Sequence, residues 1–208
     1  MLIGLAVLAV ALVAADVLGR FVAEAATSKA LATSLSLSSN PKVSIGGEPF
    51  LTHLVSGSFP TVTVEGQEVN SGPLTLQSVH AVLRDVRVPM LALARGHRVT
   101  VTAASGSGTA TVTAAEITSV LQRRGLGVTV EFERGRVRLQ VPGIPALISA
   151  SLAVESGDLV LETTRFGQRL AVGLPRVIPG VRYTDVTLSG DEAVLGFQLR
   201  GTTFAVGG

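Results

Sequence analysis

The spacing of hydrophobic residues divides the chain into a helical N-terminal part and a mainly β remainder. In residues 16–37 apolar side chains such as Val17, Phe21 and Ala25 recur at steps of three or four, which is typical of an α-helix. Pro41 ends this pattern, because the residue before a proline resists the helical conformation. The chain beyond Pro41 is predicted to be β-structure, with one exception at residues 113–125.

That exception is predicted to be a second, shorter helix. Thr113 is a suitable N-cap, and Glu116 stands three residues later, as in a capping box. Gly125 is a suitable C-terminal stop. Three apolar residues share one face of this helix: Ile117, Val120 and Leu121.

The segment "GVTVEFERGRVRLQV" (residues 127–141) predicts a β-hairpin with a two-residue turn at residues 134–135. This register places apolar residues opposite one another on one side and acids opposite arginines on the other, which is how cross-strand pairs stabilise a hairpin. The apolar pairs are Phe132 with Val137, Val130 with Leu139 and Val128 with Val141; the charged pairs are Glu133 with Arg136 and Glu131 with Arg138. Further hairpin turns are predicted at residues 156–157 and 190–191.

A long strand is predicted over residues 74–88, and its apolar positions change phase twice. Leu74 and Leu76 lie on one parity, Ala81 and Leu83 on the other, and Val86 and Val88 return to the first. A flat strand cannot do this and keep one dry face, whereas bulges or strong coiling can. We therefore expect a sheet curled around something, with the N-terminal helix as the filler.

An apolar insert lies between two β-type segments, at residues 42–46 and 59–66. It carries Pro49, Phe50, Leu51, Leu54 and Val55, residues that a water-facing loop usually avoids. We expect it to pack on the N-terminal helix. Two roles stay open: it lines an apolar tunnel, or it is a core plug under a turn.

Residues 2–15 form an uncharged, almost wholly apolar run that matches the hydrophobic region of a signal peptide. It predicts export to the periplasm or cell envelope, as a cleaved signal or as an uncleaved membrane anchor. A buried core helix is the alternative. Residues 16–208 are then predicted to form a single domain.

Composition points to a binding protein rather than an enzyme. Hydrophobic residues make up 47% of the chain and charged residues 15%, against roughly 25% charged in average soluble proteins. Such a chain has little polar material to cover its surface, so either it uses that material very economically or some of its apolar surface has a function. There is no cysteine, the three histidines lack metal-ligand spacing, and no catalytic motif occurs. We predict no enzyme activity, no metal and no cofactor.

The net charge of +2 conceals a mildly basic middle region. Residues 81–140 hold nine arginines and four acidic residues. These are either solvated strand faces or a surface for an anionic partner such as a phospholipid head group. Nucleic acid is not expected as a partner, because no run of basic residues with interleaved aromatics occurs.

The apolar insert also carries a family resemblance. The pattern P-x-V-x-I-x-G-x-PFL-x-x-L-x-x-G, followed by V-x-V, resembles the signature of the LmeA-like family of bacterial cell-envelope phospholipid-binding proteins. It is met here by Pro41, Val43, Ile45, Gly47, Pro49, Phe50, Leu51, Leu54, Gly57, Val62 and Val64. The resemblance implies an α+β, tubular lipid-binding fold, similar to that of bactericidal/permeability-increasing proteins. In that fold a long helix is wrapped by a curved, mostly antiparallel sheet, with short additional helices.

The resemblance further implies a non-catalytic carrier or chaperone that holds acyl chains in an apolar tunnel between helix and sheet. Its partners would be phospholipid and the membrane surface. The alternative is an accessory module that supports a membrane enzyme of lipid or lipoglycan assembly. The predicted lipid-lining residues are Phe21, Ile45, Phe50, Leu51, Leu54, Val55, Phe59, Leu74, Leu76, Val86, Val88, Ile117, Val120 and Leu121.

Overall fold

The computed structural model describes residues 2–34, 39–70, 74–95, 97–133, 135–163, 167–175 and 180–206. The helices in these ranges are α1 (Leu2–Ser34), α2 (Phe50–Ser56), α3 (Met90–Ala94) and α4 (Ala114–Arg123). The strands are β1 (Lys42–Gly46), β2 (Ser58–Asn70), β3 (Thr75–Arg87), β4 (Val99–Thr113), β5 (Thr129–Glu133), β6 (Arg136–Gln140), β7 (Ile148–Glu155), β8 (Asp158–Thr163), β9 (Arg169–Gly173), β10 (Val181–Ser189) and β11 (Glu192–Val206).

The strands form two antiparallel sheets, and neither sheet closes on itself. One has six strands in the order β1-β2-β3-β4-β11-β10, and the other has five in the order β5-β6-β7-β8-β9. Together with α1, which packs on β1, this confirms the predicted α+β class.

The chain divides into two compact units. The first comprises Met1–Glu65, Ala81–Gly106 and Arg200–Gly208, and the second Gly66–His80 and Ser107–Leu199. Strands β2, β3, β4 and β11 each begin in one unit and end in the other. The single domain predicted over residues 16–208 stays a prediction.

In the first unit, α1 packs on β1 and α2, and α2 in turn contacts α3. The helix predicted over residues 16–37 begins earlier, at Leu2, since no proline interrupts the apolar run. It ends at Ser34, and the rest of the prediction lies outside the described residues. Nowhere in the described part of the chain does a helix combine the length and hydropathy of a membrane span.

The second unit confirms the predicted helix and hairpins. Thr113 Oγ1 accepts a hydrogen bond from the Glu116 backbone N at 3.2 Å, and α4 packs on β5 and β9. Strands β5 and β6 pair in the predicted register, with Val130 opposite Leu139 and Glu131 opposite Arg138. Arg138 also forms a diagonal ion pair in this hairpin, since its Nε lies 2.8 Å from Glu133 Oε2. The turns at residues 156–157 and 190–191 also form.

Strand β3 shows the predicted change of phase. Leu76 is buried on one parity, Leu83 on the other, and Val86 on the first again. Between the last two, Asp85 has φ of 51°. A left-handed residue within a strand is typical of a bulge and lets the alternation shift by one residue.

Candidate functional site

Four polar residues follow one another along α1 at intervals of four: Asp16, Arg20, Glu24 and Ser28. Residues at this spacing lie on neighbouring turns of one helix face. We call this set the polar stripe of α1. It points toward the segment that contains β1 and α2, and it supplies the hydrogen bonds that hold the helix there.

Asp16, which lies on α1, caps the N-terminus of α2. Its Oδ2 accepts a hydrogen bond from the backbone N of Phe50 at 2.9 Å, and its Oδ1 accepts one from the backbone N of Leu51 at 2.6 Å. The N-cap residue of α2 is Pro49, and it makes no capping hydrogen bond of its own. Two of the free N–H groups that begin this helix are therefore satisfied by a carboxylate from α1, which also carries the charge that a helix N-terminus favours.

The rest of the polar stripe fastens α1 to the chain around β1. Glu24 Oε1 accepts hydrogen bonds from the Ile45 backbone N at 2.8 Å and from Arg20 Nε at 3.1 Å. Ser28 Oγ donates to the carbonyl oxygen of Pro41. Directional polar contacts thus set how α1 is turned about its axis.

One apolar contact completes this junction. A Cβ atom placed on Gly19 would stand 3.6 Å from Phe50 Cε1 and 3.8 Å from Leu51 Cδ2. The Phe50 ring is therefore packed against a part of α1 that carries no side chain. Phe50 is fully buried, and its ring lies 6.1 Å from that of Phe59. The predicted packing of the insert on the N-terminal helix is present.

The opposite side of α1 is apolar and exposed. Leu18, Phe21, Val22 and Ala25 have the spacing of one helix face, and we call them the outer face of α1. Leu18 is 65% exposed, Phe21 66% and Val22 70%. Helices of globular proteins usually turn this kind of face toward the core. In α1 the apolar face is exposed and the polar stripe contacts the protein, which is the reverse of the packing that the sequence pattern led us to expect.

The predicted lining residues of the first unit fall into three groups. Four are buried in its core: Ile45, Phe50, Phe59 and Val86. Three are partly exposed: Leu51, Leu54 and Val88. Two are exposed: Phe21 and Val55. The structure brings Phe50 and Phe59 into ring contact, and it places Phe21 on the outer face of α1.

The predicted lining residues of the second unit are all buried: Leu74, Leu76, Ile117, Val120 and Leu121. The last three form the buried face of α4. That all the predicted residues line one tunnel stays a prediction.

Two open grooves lie in the second unit, and none of the predicted residues lines either. One, of about 560 Å³, is bordered by Thr129, Gln140 and the segment 141–145. The other, of about 530 Å³, lies among residues 135–137, 149–152, Val186 and Leu188.

Sequence reasoning missed the polar stripe of α1, although its strict four-residue spacing in an otherwise apolar segment was a usable signal.

Among the titratable groups, the buried tyrosine has a raised pKa. Burial raises the pKa of Tyr183 to about 12, and its hydroxyl donates to the Pro175 carbonyl at 2.8 Å, which is a structural contact. The described residues contain no cluster of three or more histidine, aspartate or glutamate side chains that could hold a metal ion.

The model of the LmeA-like phospholipid-binding family matches residues 14–208. The chain belongs to the LmeA-like phospholipid-binding family. The resemblance noted from the sequence is thereby confirmed, and the match includes the polar stripe and the outer face of α1. The family is described by phospholipid binding and not by a catalytic activity. Comparisons with curated proteins and with solved structures give no significant match.

Proposed function

We propose that the chain is a non-catalytic phospholipid carrier or chaperone of the bacterial cell envelope, which covers the acyl chains of its lipid with apolar side chains. Family membership supports the ligand class. The observation that carries the proposal is the outer face of α1, where Leu18, Phe21 and Val22 are exposed although the polar stripe is turned inward.

The energetics of this face favour an apolar ligand. Covering a Leu, Phe or Val side chain is worth about 1.5–3 kcal/mol, and each methylene group taken from water about 0.8 kcal/mol. An acyl chain laid along three such residues therefore gains several kilocalories per mole of binding free energy, because apolar surface is buried on the protein and on the lipid. A polar or ionic ligand would gain nothing comparable there.

The position of the acyl chains is a further part of the proposal. The sequence predicted a tunnel between helix and sheet, but Glu24 and Ser28 occupy the contact between α1 and the β1 segment with hydrogen bonds. We therefore assign the acyl chains to the outer face of α1. A tunnel wall that includes Leu51 and Leu54, which are partly exposed on α2, stays a separate proposal with its own test.

The N-terminal segment supports the proposed location. The apolar run at residues 2–15 is the kind of segment that directs a protein to the envelope or anchors it there. Fractionation of cells that produce the full chain tests this. We expect the protein in the envelope, and full-length protein in the cytosol would contradict it.

Lipid extraction from the purified full chain, followed by mass spectrometry, tests the carrier. We expect phospholipid in roughly stoichiometric amount. Leu18→Gln combined with Phe21→Gln should lower it strongly with little change in Tm, because both side chains are exposed. Leu147→Gln is the control, since Leu147 is 45% exposed in the second unit. If the wild-type protein carries no lipid, the accessory module is favoured. If the α1 variant and the control lose equal amounts of bound phospholipid, the proposed role of α1 is wrong.

Leu54→Trp separates the two roles left open for the apolar insert. If Leu54 lines a tunnel, the introduced indole ring displaces lipid while the lipid-free protein keeps nearly the same Tm. If it is a core plug, overpacking destabilises the fold by about 1–3 kcal/mol. Lipid content per folded molecule would then be unchanged.

A further inference from the structure

Two aliphatic side chains of the first unit project into solvent from neighbouring short helices. Val55 on α2 is 87% exposed and Leu91 on α3 is 77% exposed, more than the other large apolar residues that the structure describes as exposed. The two helices contact each other. We call Val55 and Leu91, with the helices that carry them, the α2–α3 surface.

The α2–α3 surface is held by the backbone. The Val88 backbone N donates to the Gly57 carbonyl oxygen at 2.8 Å, which ties the end of α2 to the chain two residues before α3 begins. Gly57 has φ of 67°, and a Cβ atom there would collide with the Val88 carbonyl oxygen. Only glycine allows this close approach. The exposed positions of Val55 and Leu91 are thus built into a fixed junction.

Arginines flank this surface. Residues 84–98 contain four exposed arginines and one acid, Asp85. Arg87 is the last residue of β3, shortly before α3, and Arg95 is the C-cap of α3. On the α2 side, the acid nearest in sequence is Glu48, which precedes that helix and is separated from Val55 by nearly its whole length.

Exposed apolar side chains flanked by arginines are typical of a membrane-docking surface. Aliphatic residues enter the boundary between head groups and acyl chains, while basic residues bind the phosphates of anionic lipids. The cores of protein–protein interfaces are instead rich in Phe, Tyr and Trp. Helices α2 and α3 carry one such residue, Phe50, and it is buried. The charge therefore favours a lipid bilayer over a protein partner.

We propose that the α2–α3 surface docks on bilayers containing anionic phospholipid, with Val55 and Leu91 inserted at the interface and Arg87 and Arg95 on the phosphates. The inference deepens the proposed function, because a carrier must meet a membrane to load and release its lipid. It also gives a role to the basic middle region, which the acyl-chain site does not use.

Vesicle flotation with the purified full chain tests the docking. Vesicles of phosphatidylcholine are compared with vesicles of phosphatidylcholine and phosphatidylglycerol. We expect binding to the anionic vesicles, and a loss of about tenfold or more in Leu91→Asp and in Val55→Asp. Leu147→Asp, at an exposed site of the second unit, should bind as wild type does. Circular dichroism checks that each variant is folded.

The arginines are tested in the same assay. Arg87→Gln and Arg95→Gln should each lower the affinity for anionic vesicles about fivefold, and added salt should reduce the difference. Arg182→Gln, at an exposed position of β10, is the control. Equal binding to neutral and anionic vesicles, or equal losses in Arg87→Gln and Arg182→Gln, would overturn the docking. No vesicle binding by folded wild-type protein would do so too, and would leave a protein partner as the occupant.

Lipid content separates this inference from the proposed function. Leu91→Asp protein loaded with lipid in detergent should retain as much phospholipid as wild type while losing vesicle binding. If wild type binds vesicles but carries no lipid, the carrier fails and the docking stands. If Leu91→Asp loses bound lipid and vesicle binding together, Leu91 belongs to the lipid site and the separate docking surface is wrong.

Discussion

Removing the Asp16 carboxylate tests how α1 is held. In Asp16→Ala the backbone N–H groups of Phe50 and Leu51 lose their acceptors, which lie at 2.9 and 2.6 Å in the native chain. In Asp16→Asn one oxygen remains, but the charge and the second acceptor are lost. Since Pro49 cannot replace the cap, nothing else at the start of α2 compensates within the described contacts.

The cost follows from these two bonds. Hydrogen bonds to a charged group are worth about 1.5–3 kcal/mol each when well shielded, and losing a helix cap costs about 0.5–2 kcal/mol. Asp16 is only partly buried, so we place Asp16→Ala near 2 kcal/mol and Asp16→Asn near 1 kcal/mol. For a chain of this size 2 kcal/mol lowers Tm by about 4–8 °C.

Two measurements check the Asp16 prediction. Denaturant unfolding of lipid-free protein gives the free energy, and Glu131→Ala, at an exposed strand position, is the control with an expected loss of a few tenths of a kilocalorie per mole. Hydrogen exchange at the amides of Phe50 and Leu51 should become faster in Asp16→Ala. Unchanged exchange there, or a loss no larger than in Glu131→Ala, would refute the capping role.

Two further predictions concern glycine and tyrosine. Gly19→Ala should raise stability by about 0.5–1 kcal/mol, because its methyl group meets Phe50 at an ordinary contact distance of 3.6 Å and a helix prefers alanine. Gly57→Ala should cost at least about 1–3 kcal/mol, because its φ is positive and its new Cβ would collide with the Val88 carbonyl oxygen. Denaturant unfolding that gives the same sign for both variants would contradict this. Folded Tyr183, the chain's single tyrosine, binds its proton more tightly than in the unfolded chain. Its stabilisation is therefore complete below pH 10 and is lost as pH rises toward 12. Tyrosinate absorbance should show the raised pKa and Tyr183→Phe should weaken the alkaline loss, whereas ionisation near pH 10 in folded protein would argue against burial.

The features that sequence predicted are those encoded locally. The register of the β5–β6 hairpin follows from charge and apolar pairs that lie within a few residues of a turn, as with Glu131 and Arg138. The start of α4 follows from Thr113 and Glu116 in the same way. Such signals need no knowledge of the rest of the fold.

The orientation of α1 could not be predicted, because periodicity shows which residues share a face and not what that face contacts. The cap that Asp16 provides joins residues 34 and 35 positions apart, so no local pattern marks it. Helix α3 was also missed. Its five residues follow a proline and are too few to show a period.

The hydrogen-bonded attachment of α1 separates two kinds of variation. Substitutions in the polar stripe, such as at Asp16 or Glu24, change how the helix is fixed and are constrained by folding. Substitutions on the outer face, such as Phe21 to another apolar residue, leave that attachment intact and, under the proposed function, alter only the shape offered to the acyl chains. Preference for acyl-chain length or unsaturation could therefore diversify among homologues, or be engineered, without a compensating change elsewhere in the protein.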